Sequence, residues 1–265
     1  MSTLTGIRNA TRSETVRLRR MWKLLALAAA LGVLGTIFAF SGSGVGPGGR
    51  SNESSGATET VAALAAPDGI VAGLGTASTI AGLIALVLWA LSLARDLQTG
   101  TIRVLLVTQA RRDVYLAGKL LALAGATIVM SVLVVASGVG SAYLGAAAND
   151  VSTAGWAWSE AGNAVLDVSV GTLGWGALGA ALAVLTRSAA AAIGGGIGFL
   201  LLGENLLASV WSTAGEWLPG GSIENVFAGG SSDVTYLHSA VLVVAYIAVA
   251  IAASALVTVR RDVVD

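Results

Sequence analysis

The stretch GIVAGLGTASTIAGLIALVLWALSLA, residues 69–94, decides the fold class because it contains no ionisable side chain. An α-helix rises about 1.5 Å per residue, so about 20 mostly apolar residues cross a hydrocarbon layer of about 30 Å. A transmembrane β-strand would need polar residues at alternate positions, and LIALVLWAL at 83–91 has no such period. The stretch is therefore predicted to be a membrane-spanning helix.

The composition of the whole chain also indicates a lipid environment. Of the 265 residues, 55% are hydrophobic and 11% are charged, and the mean hydropathy is +0.81. A soluble globule of this length does not have enough polar surface to cover so much apolar material. The sequence has no cysteine and one histidine, His238, which excludes thiolate chemistry and multi-histidine metal centres. We therefore predict no catalytic residue, no metal site and no cofactor site, and thus no enzyme activity in this chain by itself.

Six mainly apolar runs predict six transmembrane helices. They cover residues 24–40, 69–94, 120–145, 164–185, 189–208 and 239–259. The third run stays uncharged to about residue 148, so its Gly- and Ala-rich end is expected to bend or to leave the membrane. The chain is thus predicted to be an all-α polytopic membrane protein, with a single transmembrane domain over residues 1–265.

The positions of the charged residues orient these helices. Every lysine and arginine except Arg50 lies before the first run, between the second and third, between the fourth and fifth, or after the sixth. The opposite loops carry acidic residues: Glu53, Glu59, Asp68, Asp150, Glu160, Glu216, Glu224 and Asp233. Because loops rich in Lys and Arg stay in the cytoplasm, both termini are predicted to be cytoplasmic. The basic stretch 8–23 predicts an interfacial helix on the anionic inner surface of the membrane.

Two glycine-rich motifs match nucleotide-binding patterns without the structural context that those patterns require. Residues 44–51, GVGPGGRS, have Arg50 where a phosphate-binding loop requires lysine, and no strand precedes them. Residues 174–179, GWGALG, lie inside the fourth apolar run. Glycines in the fourth and fifth runs are instead predicted to let neighbouring helices approach closely: Gly174, Gly176, Gly179, Gly194 and Gly198.

The longest inward connection is predicted over residues 95–119, which read RDLQTGTIRVLLVTQARRDVYLAGK. Ile102, Leu105 and Leu106 fall on one face of a predicted short amphipathic helix. Such a helix either lies on lipid or docks into a groove on a soluble partner, and composition alone does not separate these two functions.

The order of residues in this connection resembles the cytoplasmic loop of type-2 ABC exporter permeases. The matching residues are Asp96, Gly100, Thr101, Arg103, Leu105, Leu106, Arg111 and Lys119. The resemblance extends to SETVRLRR at 13–20, which is similar to the family's amphipathic entry helix, and to VRRDVVD at 259–265, which is similar to its basic carboxyl end. This sequence departs from the family in Asp96, where glutamate is usual, and near Gln109, where proline is frequent.

The resemblance implies a transport subunit of the bacterial cell membrane that exports an amphipathic or hydrophobic compound. ATP and magnesium are then expected on a separate ATP-binding subunit, present in two copies. A second permease chain, identical or related, is expected to complete the transport path, and no nucleic-acid partner is expected. The residues implied to couple this chain to the ATPase are Asp96, Gly100, Thr101, Arg103, Arg111 and Arg112. Among them, Asp96 and Arg103 are expected to pair.

Two carboxylates near the outer ends of spans are further candidates, because desolvating a charge in a membrane costs several kcal/mol. Asp167 lies about one turn inside the fourth run, and Glu204 follows the point where the fifth run loses its apolar character. They are candidates for the transport path or an outer gate; alternatively, both simply reach the outer surface. A family-like interpretation has Glu204 beginning short helices that dip into the outer leaflet before Pro219.

Two other functions compete with the permease. A polytopic scaffold would bind a soluble partner through the 95–119 loop without transporting anything. An ion-driven carrier is disfavoured, because the middles of the six runs carry no ionisable residue. An ATPase encoded next to this gene would favour the permease over the scaffold.

Overall fold

The computed structural model describes residues 61–98, 112–211, 213–230 and 234–260. Across these residues the regular structure is helical, and none of them lies in a strand. The predicted all-α fold class is thereby confirmed. The first apolar run, residues 24–40, and the predicted N-terminal interfacial helix lie outside the described residues.

The helices are numbered in chain order from the first one described. They are α1 (Val61–Ala65), α2 (Leu74–Gln98), α3 (Arg112–Ala148), α4 (Trp158–Thr186), α5 (Ala189–Gly198), α6 (Glu204–Val210), α7 (Ala214–Trp217), α8 (Pro219–Phe227) and α9 (Tyr236–Arg260). A 3-10 turn, Gly69–Val71, precedes α2, and a π-helical turn, Phe199–Gly203, joins α5 to α6.

Four described segments are long and apolar enough to cross a membrane. They are Gly69–Gln98, Val114–Ala148, Trp158–Thr186 and Tyr236–Val257. A fifth helical segment runs through α5, the π turn and α6, over residues 189–210, and covers the predicted fifth run. The second to sixth runs are therefore all found as helix, and the full count of six spans stays a prediction.

The structure corrects several predicted boundaries. Helix α2 begins at Leu74 rather than at residue 69, because Gly73 adopts a φ of 83° that interrupts the helix. The loop predicted over 95–119 is shorter, since α2 continues to Gln98 and α3 already begins at Arg112. Both helices continue past charged residues, because Asp96 of α2 and Lys119 of α3 neutralise each other in an ion pair.

The far end of α3 also differs from the prediction. The helix continues to Ala148, past the expected end near residue 145. Ala142 and Ala146 are buried there against Ile70 and Trp156, so the small side chains of this end serve close packing.

Helix α4 forms the centre of the bundle. It packs against α2, α3, α5, α8 and α9. In its most apolar stretch, 67% of the residues are buried, compared with 17% in the corresponding stretch of α9. Most of the surface of α9 is therefore not covered by the other described residues.

Glycines bring α2 and α4 into close contact. Gly82 of α2 lies under the indole of Trp175, where a Cβ atom would stand 2.6 Å from Cδ1. Gly176 of α4 lies under Trp89 in the same way, and a Cβ on Gly179 would stand 2.4 Å from the backbone oxygen of Leu86. The predicted packing role of the α4 glycines is confirmed, and it includes Gly174, which faces Val243 and Ile223.

Within the part of the chain that the structure describes, Gly194 and Gly198 contact no neighbouring helix, and their packing role stays a prediction. No heavy atom there lies within 4 Å of a Cβ built on either residue. Glycine in a membrane helix permits a close approach, but whether a neighbour approaches depends on the arrangement of the helices.

The two ends of the bundle differ in charge. At one end, called the basic end, Gln98 of α2 donates a hydrogen bond to the backbone oxygen of Arg187, which follows α4. At the opposite, acidic end, the Trp156 indole donates to the oxygen of Leu64 at 2.8 Å, which joins the loops that carry Asp68 and Asp150. Loops that were predicted to share a side therefore meet in the structure.

Candidate functional site

A buried ion pair joins α2 and α3 at the basic end. The Lys119 ammonium and the Tyr115 hydroxyl both donate hydrogen bonds to Oδ2 of Asp96. Lys119 is 2% exposed and Asp96 is 9% exposed. Tyr115 and Lys119 are four residues apart on α3, so one helix face presents both donors to α2.

Apolar side chains surround this pair. A small cavity lies beside the pair. Its apolar lining residues are Leu93 and Leu97 of α2, Leu116 of α3 and Val184 of α4, and its polar lining residues are Asp96, Tyr115 and Lys119. Because both charges are buried there, removing one partner of the ion pair is expected to cost about 3–5 kcal/mol.

The position of the pair relative to the chain is its most important feature. Asp96 lies in the last turn of α2 and Tyr115 in the first turn of α3, so the pair stands where residues 99–111 leave one helix and enter the next. A force applied to residues 99–111 would therefore act on two helices that are fixed to each other.

A second contact at this end ties α2 to the turn between α4 and α5. The Gln98 amide nitrogen lies 3.2 Å from the backbone oxygen of Arg187. Ser188 caps α5 by accepting a hydrogen bond from the amide of Ala191 at 3.3 Å. The end of α2 and the α4–α5 turn thus form one connected surface.

At the acidic end, Glu204 holds the start of α8. Its carboxylate accepts hydrogen bonds from the amides of Gly220 at 2.9 Å and Gly221 at 3.2 Å. These amides belong to the first turn of α8, which Pro219 begins, and they have no partner inside the helix. A Cβ on Gly220 would stand 2.4 Å from Oε2 of Glu204, so the contact requires glycine there. A negative charge is also favourable at a helix N-terminus.

Replacing Glu204 with alanine is expected to release α8 from α6. Hydrogen bonds to a charged acceptor contribute about 1.5–3 kcal/mol each, and both would be lost. The chain has no natural cysteine, so a Ser222→Cys substitution, at a side chain that is 1% exposed on α8, provides a single reporter. A water-soluble maleimide should label that reporter at least about tenfold faster in the Glu204→Ala background.

Glu224→Ala is the matched control, because Glu224 is an exposed carboxylate on α8 itself. The labelling rate should be unchanged in this variant. Equal acceleration in both variants would mean that the loss of negative charge, and not the cap, loosens α8.

Comparison with known proteins identifies the family. The family profile described as "ABC-2 family transporter protein" matches residues 11–220. The chain belongs to the ABC-2 transporter family. It is therefore a multi-pass membrane permease of an ABC transporter, and permeases of this family are transport subunits that normally pair with a separate ATP-binding subunit. No curated protein matches the chain.

Most residues predicted to couple this ABC-2 permease to its ATPase lie outside the described residues. These are Gly100, Thr101, Arg103 and Arg111, and the predicted amphipathic helix lies there with them. Arg112 is the first residue of α3, and Asp96 is the member of the set whose contacts are described. The expected Asp96–Arg103 pair stays a prediction. Among the described residues, Lys119 is a cation that pairs with Asp96.

The two candidate carboxylates of the permease belong to separate contacts. Asp167 of α4 is half-buried and accepts a hydrogen bond from the hydroxyl of Tyr236, the first residue of α9. Glu204 instead contacts the first turn of α8. The structure therefore does not combine them into one polar site, and each joins a different pair of helices at the acidic end.

Sequence reasoning missed three contacts at the candidate sites of the permease. Tyr115 was not singled out, although its spacing of four residues from Lys119 signals a shared helix face. The Gln98–Arg187 contact has no sequence signal, because the two residues are far apart in the chain. The glycines after Pro219 did signal a helix start with free amides, which a nearby carboxylate can cap.

Proposed function

We propose that this permease is the membrane subunit of an ATP-driven exporter, and that residues 99–111 receive the movement of the ATP-binding subunit. The observation that carries the proposal is the buried contact of Asp96 with Lys119 and Tyr115. It links α2 and α3 at the two points where this segment is attached.

The pair makes the coupling mechanical. Closure of the ATPase on ATP moves the segment, and α2 and α3 follow together because separating them would break the buried Asp96–Lys119 ion pair. Helix α2 then acts on α4 through the tightly fitted Gly–Trp contacts, since close-packed interfaces change by discrete shifts and do not deform continuously.

The basic end is assigned to the cytoplasm of a bacterial cell, with six spans and both termini inside. The charge asymmetry of the sequence supports this orientation. ATP and magnesium belong to the partner, in two copies, because no phosphate-binding loop with the required lysine occurs in this sequence. A second permease chain encloses the path with this one, and the surface of α9 that the described residues leave uncovered is compatible with such a neighbour.

The exported compound is assigned to the amphipathic or hydrophobic class. Apolar side chains on the exposed helix faces support a path without fixed charges, and among them are Leu202, Leu206, Val241 and Val244. Asp167 and Glu204 are assigned to an outer gate, because each fixes a helix at the acidic end that must move if the path opens there.

Gentle purification of the chain from its native membrane tests this function. An ATP-hydrolysing subunit should accompany it in equal number, and scrambling residues 101–112 should abolish the association. A chain that repeatedly purifies without an ATPase would instead support the scaffold.

A further inference from the structure

The turn between α4 and α5 combines an unusual backbone conformation with an exposed charge. Arg187 has a φ of 53°, in the left-handed region. That conformation follows many helices, but the residue there is usually glycine, because a Cβ atom is unfavourable. The chain nevertheless has its only basic residue of this turn at this position.

The arginine side chain has no part in holding the turn. The backbone amide of Arg187 donates to the oxygen of Ala183 at 2.9 Å, and its backbone oxygen accepts from Gln98. Ser188 supplies the cap of α5. Glycine would make the same backbone contacts with less strain, so the backbone of the turn does not require an arginine.

The guanidinium is available to a partner. Arg187 is exposed, and among the described residues no carboxylate pairs with it. Its turn is bonded to Gln98, the last residue of α2, from which residues 99–111 depart. A body that contacts the end of α2 at Gln98 therefore lies close to Arg187 as well.

We infer that the Arg187 turn is a second docking element for the ATP-binding subunit, and that its guanidinium binds a carboxylate on the surface of that subunit. Arginine forms paired, planar hydrogen bonds with carboxylates, and a rigid turn aims it better than a flexible loop. This inference rests on the proposed function. The Gln98 contact favours the ATPase over a phosphate of the membrane surface, since it joins the turn to the end of α2, where the proposed coupling segment is attached.

Titration of the ATP-binding subunit against the purified permease in neutral detergent tests the inference. The Arg187→Gly variant should weaken binding about tenfold, which is the size of effect expected for one charge-assisted contact. Its thermal midpoint should be equal to or above that of the wild type, because glycine suits the backbone conformation. Wild-type affinity in Arg187→Gly would overturn the inference.

Two further variants separate position from charge. Arg187→Gly combined with Leu185→Arg moves the positive charge to an exposed site of the same helix end, where it suits the helix dipole. Binding should stay weak in this double variant, and restored affinity would show that only the net charge matters. Arg187→Lys should bind with intermediate affinity, because lysine keeps the charge without the planar fork.

The same titration distinguishes this inference from the proposed function. If scrambling residues 101–112 abolishes binding while Arg187→Gly does not weaken it, the second docking element alone is wrong. If the scrambled chain still binds, the proposed coupling segment is wrong. A defect of Arg187→Gly that occurs only in bilayers containing phosphatidylglycerol, and not in neutral detergent, would assign the guanidinium to lipid headgroups.

Discussion

Replacing Lys119 with methionine is expected to lower the free energy of unfolding by about 3–5 kcal/mol, because it removes one partner of the buried Asp96–Lys119 ion pair. Methionine retains the length and the apolar stem of lysine, so the volume of the site changes little. The expected result is a much lower yield of folded permease and a lower midpoint of thermal denaturation in detergent. ATP hydrolysis by the associated subunit should also lose its dependence on the permease.

The double variant Asp96→Asn with Lys119→Met is the control. Both charges are removed, and the introduced asparagine side chain still offers Tyr115 a hydrogen-bond acceptor, so most of the lost stability should return. An equal loss of stability in the single and double variants would mean that the lysine side chain stabilises the fold by its packing and not by its charge. A stable double variant that fails to couple ATP hydrolysis to transport would support the mechanical role of the pair.

Replacing Gly179 with alanine is expected to separate α2 from α4. The added Cβ would stand 2.4 Å from the backbone oxygen of Leu86, and a backbone atom cannot move aside by changing a rotamer. Overpacking of this kind costs about 1–3 kcal/mol, occasionally more, even though alanine is the better helix former. Thermal denaturation in detergent should show a clearly lower midpoint.

Gly162→Ala provides the same chemical change in the same helix. No heavy atom of the described residues lies within 4 Å of a Cβ on Gly162, so this variant should match the wild type or exceed its stability by up to about 1 kcal/mol. Equal loss of stability in both variants would mean that α4 depends on glycine for backbone reasons and not for contact with α2.

The helices were largely predictable because membrane insertion depends on the apolar length of a segment, which is a local property. Runs such as residues 69–94 and 239–259 correspond to helices Leu74–Gln98 and Tyr236–Arg260. Their ends were less predictable. A charge predicts the end of a span, yet Lys119 lies inside α3, because its charge is neutralised by a residue of another helix.

The candidate site was only partly predictable, for a related reason. Asp96 was singled out by the family resemblance and Glu204 by its place in an apolar run, and both are buried and bonded in the structure. Their partners were not found. The amides that Glu204 binds lie on another helix, so their position depends on how α6 and α8 pack.

The sequence by itself determined the lipid environment, the positions of the apolar helices and the separation of basic from acidic loops, since each of these follows from residues adjacent in the chain. Only the tertiary structure decided which glycines pack and which charges pair. Gly179 and Gly194 are both glycines of apolar helices. A Cβ on Gly179 would overlap the neighbouring helix α2, whereas a Cβ on Gly194 would meet no described atom. Close contacts and buried ion pairs need a second helix at a fixed distance, and that distance arises only when the whole bundle packs.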